Sequence, residues 1–125
     1  MSKPVILVVD DEPLIRWALK EHLLQGGFEV KEAETGKTAL ANFGPGHDGI
    51  AAVVLDYRLP DMNGVEILKE IKKYDPGCQV ILMSAHGTAD VIEEARKKGA
   101  FHFAPKPFDY LSMVELVRKA LGKAS

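Results

Sequence analysis

Short apolar runs alternate with segments whose apolar residues recur every three or four positions, from one end of the chain to the other. Val5–Val9 is continuous and rich in β-branched residues, as a strand covered on both faces should be. Pro13 then suits the first turn of a helix, and Leu14, Ile15, Ala18, Leu19, His22 and Leu23 recur at helical spacing until Gly26-Gly27. Residues 28–33 alternate apolar and charged, which predicts a second strand at a sheet edge. A short helix with Ala39, Leu40 and Phe43 inward stops before the Gly-Pro-Gly turn at 44–46. Residues 51–55 predict a third strand running straight into Asp56. Asn63 can cap a third helix with Val65, Ile67, Leu68 and Ile71 inward. Beyond the Asp75-Pro76-Gly77 turn, residues 79–83 predict strand four, 90–98 helix four with Gly99 as its stop, and 100–104 strand five. Asp109 caps a last helix carrying Met113, Leu116, Val117, Ala120 and Leu121 on one side.

Five β-then-α units predict an α/β fold: a five-stranded parallel sheet with helices on both faces, a three-layer sandwich. No linker, repeat or low-complexity tract interrupts the series, so residues 1–125 read as one domain.

Composition narrows the classes. With 125 residues, 46% hydrophobic and 27% charged, the chain is an ordinary globular one. Its 16 Lys+Arg against 18 Asp+Glu leave a net charge of -2, which gives no drive toward direct nucleic-acid binding or anionic membrane. The first apolar run ends at Asp10-Asp11-Glu12, too short for a signal peptide, and nothing approaches the ~20 apolar residues of a membrane span. A single cysteine, Cys78, excludes an internal disulfide and fits a reducing, cytoplasmic setting; the residue reads as a small core side chain.

In an open parallel sheet, ligands bind beyond the carboxyl ends of the strands. Here that edge receives Asp10, Asp11 and Glu12 after strand one, Asp56 after strand three, Ser84 after strand four and Lys106 past strand five. Alone, three acids ahead of a helix are also good capping and dipole chemistry. Together with Asp56 they conflict: two carboxylates ~5 Å apart repel by roughly 3 kcal/mol at an effective dielectric near 20. A hard divalent cation removes the conflict, and Mg2+ prefers one or two carboxylates, waters and phosphate oxygens. In-line phosphoryl transfer needs that arrangement, with Lys106 neutralising charge and Asp56 as nucleophile.

The motifs Val8-Val9-Asp10-Asp11-Glu12-Pro13, Leu55-Asp56-x-x-x-Pro60-x-x-x-Gly64, Met83-Ser84-Ala85 and Lys106-Pro107-Phe108 follow in this order on the five units. In them the chain resembles the response-regulator receiver family of two-component signalling over essentially its whole length. The resemblance implies a flavodoxin-like sheet of order 2-1-3-4-5 and a cis peptide at Lys106-Pro107. It implies that Asp56 accepts a phosphoryl group from a sensor histidine kinase and later loses it by self-catalysed hydrolysis, so that the chain is a signalling switch rather than an enzyme with an external substrate. Asp11 would bind Mg2+ directly and Asp10 mostly through water, with Asp56 and the Arg58 backbone carbonyl completing the protein ligands. Ser84 would hydrogen-bond the phosphoryl oxygens and Lys106 would pair with them. Phe103 stands where many members carry a switching tyrosine; without the hydroxyl, only a packing version of that switch survives, and plain strand core is the competing reading. Arg58 and His86 stand at positions that in the family tune how fast the phosphate is lost, with a solvated loop the alternative for His86. The output face would be helix four, strand five and helix five. The wording around 83–87 and 103–109 is most similar to receivers of nitrogen-regulation-type, sigma-54-dependent transcriptional activators. That implies an effector domain or downstream protein as partner, and a phosphorylation-dependent homodimer.

Other signals fail on spacing. Gly36-Lys37-Thr38 lacks the glycine five residues earlier, where Lys31 stands, so no nucleotide loop is supported. Asp61-Met62-Asn63-Gly64 lacks the leading acid of a calcium loop. Trp17 falls off the inward stripe of helix one and reads as partial surface packing. A dehalogenase-like phosphohydrolase would need its nucleophile after strand one in an Asp-x-Asp pattern, and a flavin-binding module would need a phosphate loop where this chain has carboxylates.

Overall fold

The computed structural model describes residues 3–46 and 49–124. Strands β1 (Val5–Val9), β2 (Glu29–Ala33), β3 (Ala52–Asp56), β4 (Gln79–Ser84) and β5 (His102–Pro105) alternate with helices α1 (Pro13–Gln25), α2 (Gly36–Leu40), α3 (Gly64–Tyr74), α4 (Ala89–Lys97) and α5 (Tyr110–Ala124). The sheet is parallel throughout, in the order β2-β1-β3-β4-β5.

Strand alternation splits the core into two layers. Leu7, Val9, Val53, Leu55, Val80 and Leu82 face α2, α3 and α4, while Ile6, Val8, Ala52, Val54, Ile81 and Met83 face α1 and α5. Central strands are therefore apolar throughout their interiors, which is why they lack alternation in the sequence. Edge strand β2 keeps charged residues outward, with Ala33 as its buried member.

Strands β2, β3 and β5 start later than the sequence pattern predicts, and at β2 and β5 the end of the preceding helix intervenes. Phe28 and Ala100 each donate their N–H back into the preceding helix, to Leu23 (3.1 Å) and Ala95 (3.0 Å), across a glycine at positive φ (Gly27, 96°; Gly99, 103°). Each is the closing bond of a Schellman turn, so the first apolar residue after the helix serves as its C-terminal lock. Strands β3, β4 and β5 each reach one residue further than expected, and β3 and β4 thereby include Asp56 and Ser84. The α3 cap is as expected: Asn63 and Glu66 form a reciprocal capping box. Thr88 caps α4, and Asp109 accepts from the Ser112 N–H and hydroxyl at the start of α5.

Leu14 does not join the core; it is 80% exposed, and Trp17 on the same helix is 62% exposed, more open than partial packing implies. The inward stripe of α1 is carried by Leu19 and Leu23 with Ile15 at its margin, because Leu14 lies one residue out of phase. Cys78 is buried in the α2–α4 layer as expected, and burial, with Asp75 nearby, pushes its thiol up to about 12.

Candidate phosphoacceptor site

The side-chain rows of the α1/α5 layer run off the end of the sheet into the site. Ile6 and Val8 lead to Asp10, Ala52 and Val54 to Asp56, and Ala104 to Lys106. Since Val9 pairs with Leu55, the next residues on β1 and β3 are neighbours, and two carboxylates meet at the carboxyl edge. Ser84 and Phe103 belong to the opposite parity, with Leu82 pairing Phe103 and Ser84 pairing Pro105.

Asp10, Asp56 and Ser84 are the buried polar residues among those described. Lys106 reaches over the acids, its Nζ 3.2 Å from Asp10 Oδ2, 3.3 Å from Asp56 Oδ2 and 3.8 Å from Glu12 Oε1. The Lys106 N–H is held by the Ser84 carbonyl at 2.8 Å, and the Lys106–Pro107 peptide is cis. Burial, then the charge of Asp10, raises the pKa of Asp56 above the ordinary carboxylate value; Lys106 and the Arg58 N–H oppose this. Burial also works against the Lys106 cation, but attraction to Asp56 and Asp10 outweighs it and leaves its pKa raised.

Carboxylate oxygens of Asp10, Asp11, Glu12 and Asp56 all lie within 4.8 Å of one another. Four acids answered by one lysine leave a local excess of negative charge, and an all-oxygen set open on one side is the donor chemistry a hard divalent cation takes. The residues present therefore fit Mg2+. Glu12 joins this cluster although the family resemblance assigns it no role. An open pocket of about 250 Å³ lies beyond, lined by Asp11, Glu12, Asp56, Arg58, Ser84, His86 and Lys106.

The candidate residues thus converge, with one set apart. Arg58 and His86 are exposed at the mouth; the Arg58 N–H faces Asp56 Oδ1 at 3.4 Å, and the His86 N–H donates to Ser84 Oγ at 3.1 Å. Phe103 lies deeper, half-buried against the α2–α4 layer, its ring lying over Gly87 in the β4–α4 loop. The loop after Asp56 is drawn tight: Gly64 N–H bonds the Tyr57 carbonyl at 2.6 Å, and a Cβ at Gly64 would sit 2.9 Å from Tyr57 Cα and 3.2 Å from the Asp56 carbonyl. Only glycine lets α3 begin so close to the acid, which gives the Asp-to-Gly spacing its physical reason.

Two contributors escaped the sequence reading. Asp61, considered only as a failed calcium ligand, accepts from Gly36 N–H (2.8 Å) and Lys37 N–H (2.9 Å) and so latches the loop to the start of α2. Arg16, outside the apolar stripe of α1, donates from Nη1 to the Asp10 carbonyl at 2.8 Å. Neither contact has a local signal, because the partners are brought together by the fold; a cation one turn past three acids was the nearest hint for Arg16.

A parallel 2-1-3-4-5 sheet with acids, a hydroxyl and a lysine at its carboxyl edge defines a receiver-type switch. The family model for the response regulator receiver domain matches residues 6–118, and the chain belongs to that family. It is 36% identical over 122 residues to the DNA-binding transcriptional regulator NtrC of Salmonella typhimurium, covering 98% of this chain and 26% of that protein. It is 37% identical over 115 residues to chemotaxis protein CheY of Thermotoga maritima, covering 91% of this chain and 94% of that one. The chain thus spans about a quarter of the length of its NtrC relatives and nearly all of CheY. Among solved structures, a CheY-like receiver domain protein from Methanospirillum hungatei superposes with a TM-score of 0.93 at 28% identity, covering 98% and 97% of the two chains. The beryllofluoride-activated NtrC4 receiver domain dimer superposes with a TM-score of 0.89 at 32% identity, covering 97% and 98%. Receiver domains are signalling switches that generally bind Mg2+ at an acidic pocket. Among the described residues, no helix is long and apolar enough to cross a membrane.

Proposed function

We propose that Asp56 is the phosphoacceptor and that residues 1–125 form one receiver domain, fed by a sensor histidine kinase in the cytoplasm. The observation that carries this reading is the bridge of Lys106 between Asp10 and Asp56, at 3.2 and 3.3 Å, inside a four-acid cluster. An oxygen of Asp56 attacks the phosphorus of a phosphohistidine; the phosphorus–nitrogen bond breaks, and the electron pair leaves on the imidazole, which takes a proton. Lys106 then turns from its acid partners to a phosphoryl oxygen, and the Ser84 hydroxyl donates to another. Asp11, with Asp10, Asp56 and the Arg58 carbonyl, would hold Mg2+. Bound there, the ion supplies charge neutralisation for the transferred group. Water later cleaves the mixed anhydride, regenerating Asp56 and releasing phosphate. The chain catalyses only this self-directed cycle, and Arg58 and His86 at the mouth set its rate.

The output is read on α4, β5 and α5, with Phe103 repacking as the phosphate draws on Ser84. Two features support that face. Ala95 is the one buried residue of α4, so this helix is lightly anchored. A mainly apolar groove of about 220 Å³, lined by Ile92, Ala95, Ala100, Phe101 and Phe103 with Arg96 and His102, lies between it and β5. The partner would be an attached effector domain or a downstream protein, with a homodimer as the phosphorylated form; with a net charge of -2 this domain does not itself bind nucleic acid.

Intact mass after incubation with phosphoramidate and Mg2+ tests the reading, beside Asp56→Asn and an EDTA control, with beryllofluoride binding as the measure for a short-lived phosphate. A metal-dependent gain of one phosphoryl group, absent from the variant, is expected. Absence of both the phosphoryl group and metal-dependent beryllofluoride binding would overturn it in favour of a receiver-shaped module without phosphotransfer.

A further inference from the structure

Behind the acidic cluster, the first turns of α1 place a cation that the phosphotransfer scheme above does not use. Arg16 has a side chain only 14% exposed, and its three nitrogens have three separate partners. Nη1 donates to the Asp10 backbone carbonyl at 2.8 Å, Nε meets Glu32 Oε1 at 3.1 Å, and Nη2 lies 3.5 Å from Glu34 Oε1. Asp10 is consequently held at four points. Its N–H bonds the Ala33 carbonyl (3.2 Å), its carbonyl takes Arg16, one carboxylate oxygen takes the Glu12 N–H (2.8 Å), and the other takes Lys106 (3.2 Å).

That carbonyl belongs to the peptide joining Asp10 to Asp11. A bond that fixes its direction also fixes the plane from which the Asp11 side chain departs. Arginine suits the task because its planar fork presents donors in set directions, whereas lysine offers one compact charge. Glu32 in β2 and Glu34 just beyond it both aim the guanidinium and offset its charge, so the acids are oriented without being neutralised.

We propose that Arg16 is a positioning residue of the phosphotransfer site: oriented by Glu32 and Glu34, it fixes the Asp10–Asp11 peptide so that both carboxylates address a divalent cation together. The proposal rests on the phosphoacceptor reading above. Its expected effect on cation affinity differs from that of each of the two simpler roles open to this arginine. If Arg16 acted only as a nearby positive charge, its removal would tighten cation binding. If it only stapled α1 to the β2 edge, its removal would lower the melting temperature and leave cation affinity alone.

The test uses the whole chain as wild type, Arg16→Gln, Arg16→Lys and the Glu32→Gln/Glu34→Gln pair. Mg2+ affinity is followed by backbone-amide NMR titration, phosphorylation by phosphoramidate by intact mass, and melting temperature in the absence of metal. Arg16→Gln should weaken Mg2+ about tenfold, the scale at which outer partners of metal ligands act. Phosphorylation at fixed, sub-saturating Mg2+ should slow with it. Arg16→Lys should recover part of the loss, and the double glutamine variant, which leaves the carbonyl contact in place, should show a smaller loss in the same direction. Unchanged or tighter Mg2+ binding in both Arg16 variants overturns the proposal, whatever happens to the melting temperature. Should Arg16→Gln fail to fold, Arg16→Lys decides alone by the same criterion. A wild-type chain that takes neither Mg2+ nor phosphate overturns the phosphoacceptor reading and the proposal with it; a normal wild type beside indifferent variants overturns the proposal only.

Discussion

Asp56 is 5% exposed and shares its surroundings with Asp10, so its negative charge is costly until something answers it. Carboxylates within 4.8 Å repel by roughly 3 kcal/mol at an effective dielectric near 20, and Lys106 offsets only part of that for the cluster. Asp56→Asn should therefore stabilise the metal-free protein, by about 1–2 kcal/mol at neutral pH. A raised carboxylate contributes stability below its ordinary value of 3.8 and loses it as pH rises through the shifted one. The advantage of the variant should accordingly be largest near neutrality and fade on acidification below that range. Urea midpoints at both pH values measure it, and an advantage that persists in acid would count against the charge argument. A second residue-scale test concerns Phe103. A Cβ at Gly87 would lie 2.5 Å from its Cε1, so Gly87→Ala must move the ring. We expect a loss of about 1–2 kcal/mol that largely disappears in a Phe103→Ala background. Equal losses in both backgrounds would show that the ring does not bear on the loop.

Among the elements, the loop from Asp56 to α3 depends on a partner far from it in sequence. Asp61 holds both N–H groups at the start of α2, and those two bonds, Gly36 first and Lys37 second, lower its pKa. Asp61→Ala should destabilise the chain, because two helix N–H groups lose their acceptor. The sign follows from the lowered pKa: the contribution is present above the ordinary 3.8 and is lost as pH falls through the shifted value. The gap between wild type and variant should thus shrink in strong acid; a gap independent of pH would refute the latch. Boundaries show how far periodicity alone reaches. The pattern located all ten elements, yet it assigned Phe28 and Ala100 to strands, because an apolar residue that locks a helix end looks like one that begins a strand.

For the molecule as a whole, anchoring is uneven. The central strands are fully covered and α3 buries Val65, Ile67, Leu68 and Ile71, whereas α4 buries Ala95 alone. Local opening free energy follows such burial. Amides of α4 and the β4–α4 loop should exchange faster than those of α3, and should be the segment whose exchange changes most when Asp56 carries beryllofluoride. Equal protection with and without it would remove α4 from the output face.

What the sequence determined by itself is what short-range periodicity and spacing encode: continuous runs for buried strands, 3.6-residue stripes for helices, and acids, Ser84 and Lys106 at strand ends. That much led to the fold and to the residues now seen around Asp56. Tertiary structure decided what depends on pairing across the chain. Register made Asp10 and Asp56 neighbours, and parity put Lys106 on their face with Phe103 on the other. Packing brought Asp61 to α2 and Arg16 to the Asp10 carbonyl, and left Leu14 in solvent. Polar contacts of this kind carry no periodic trace, since each side chain meets groups that only the fold brings within reach. They become visible only when the strands are in place.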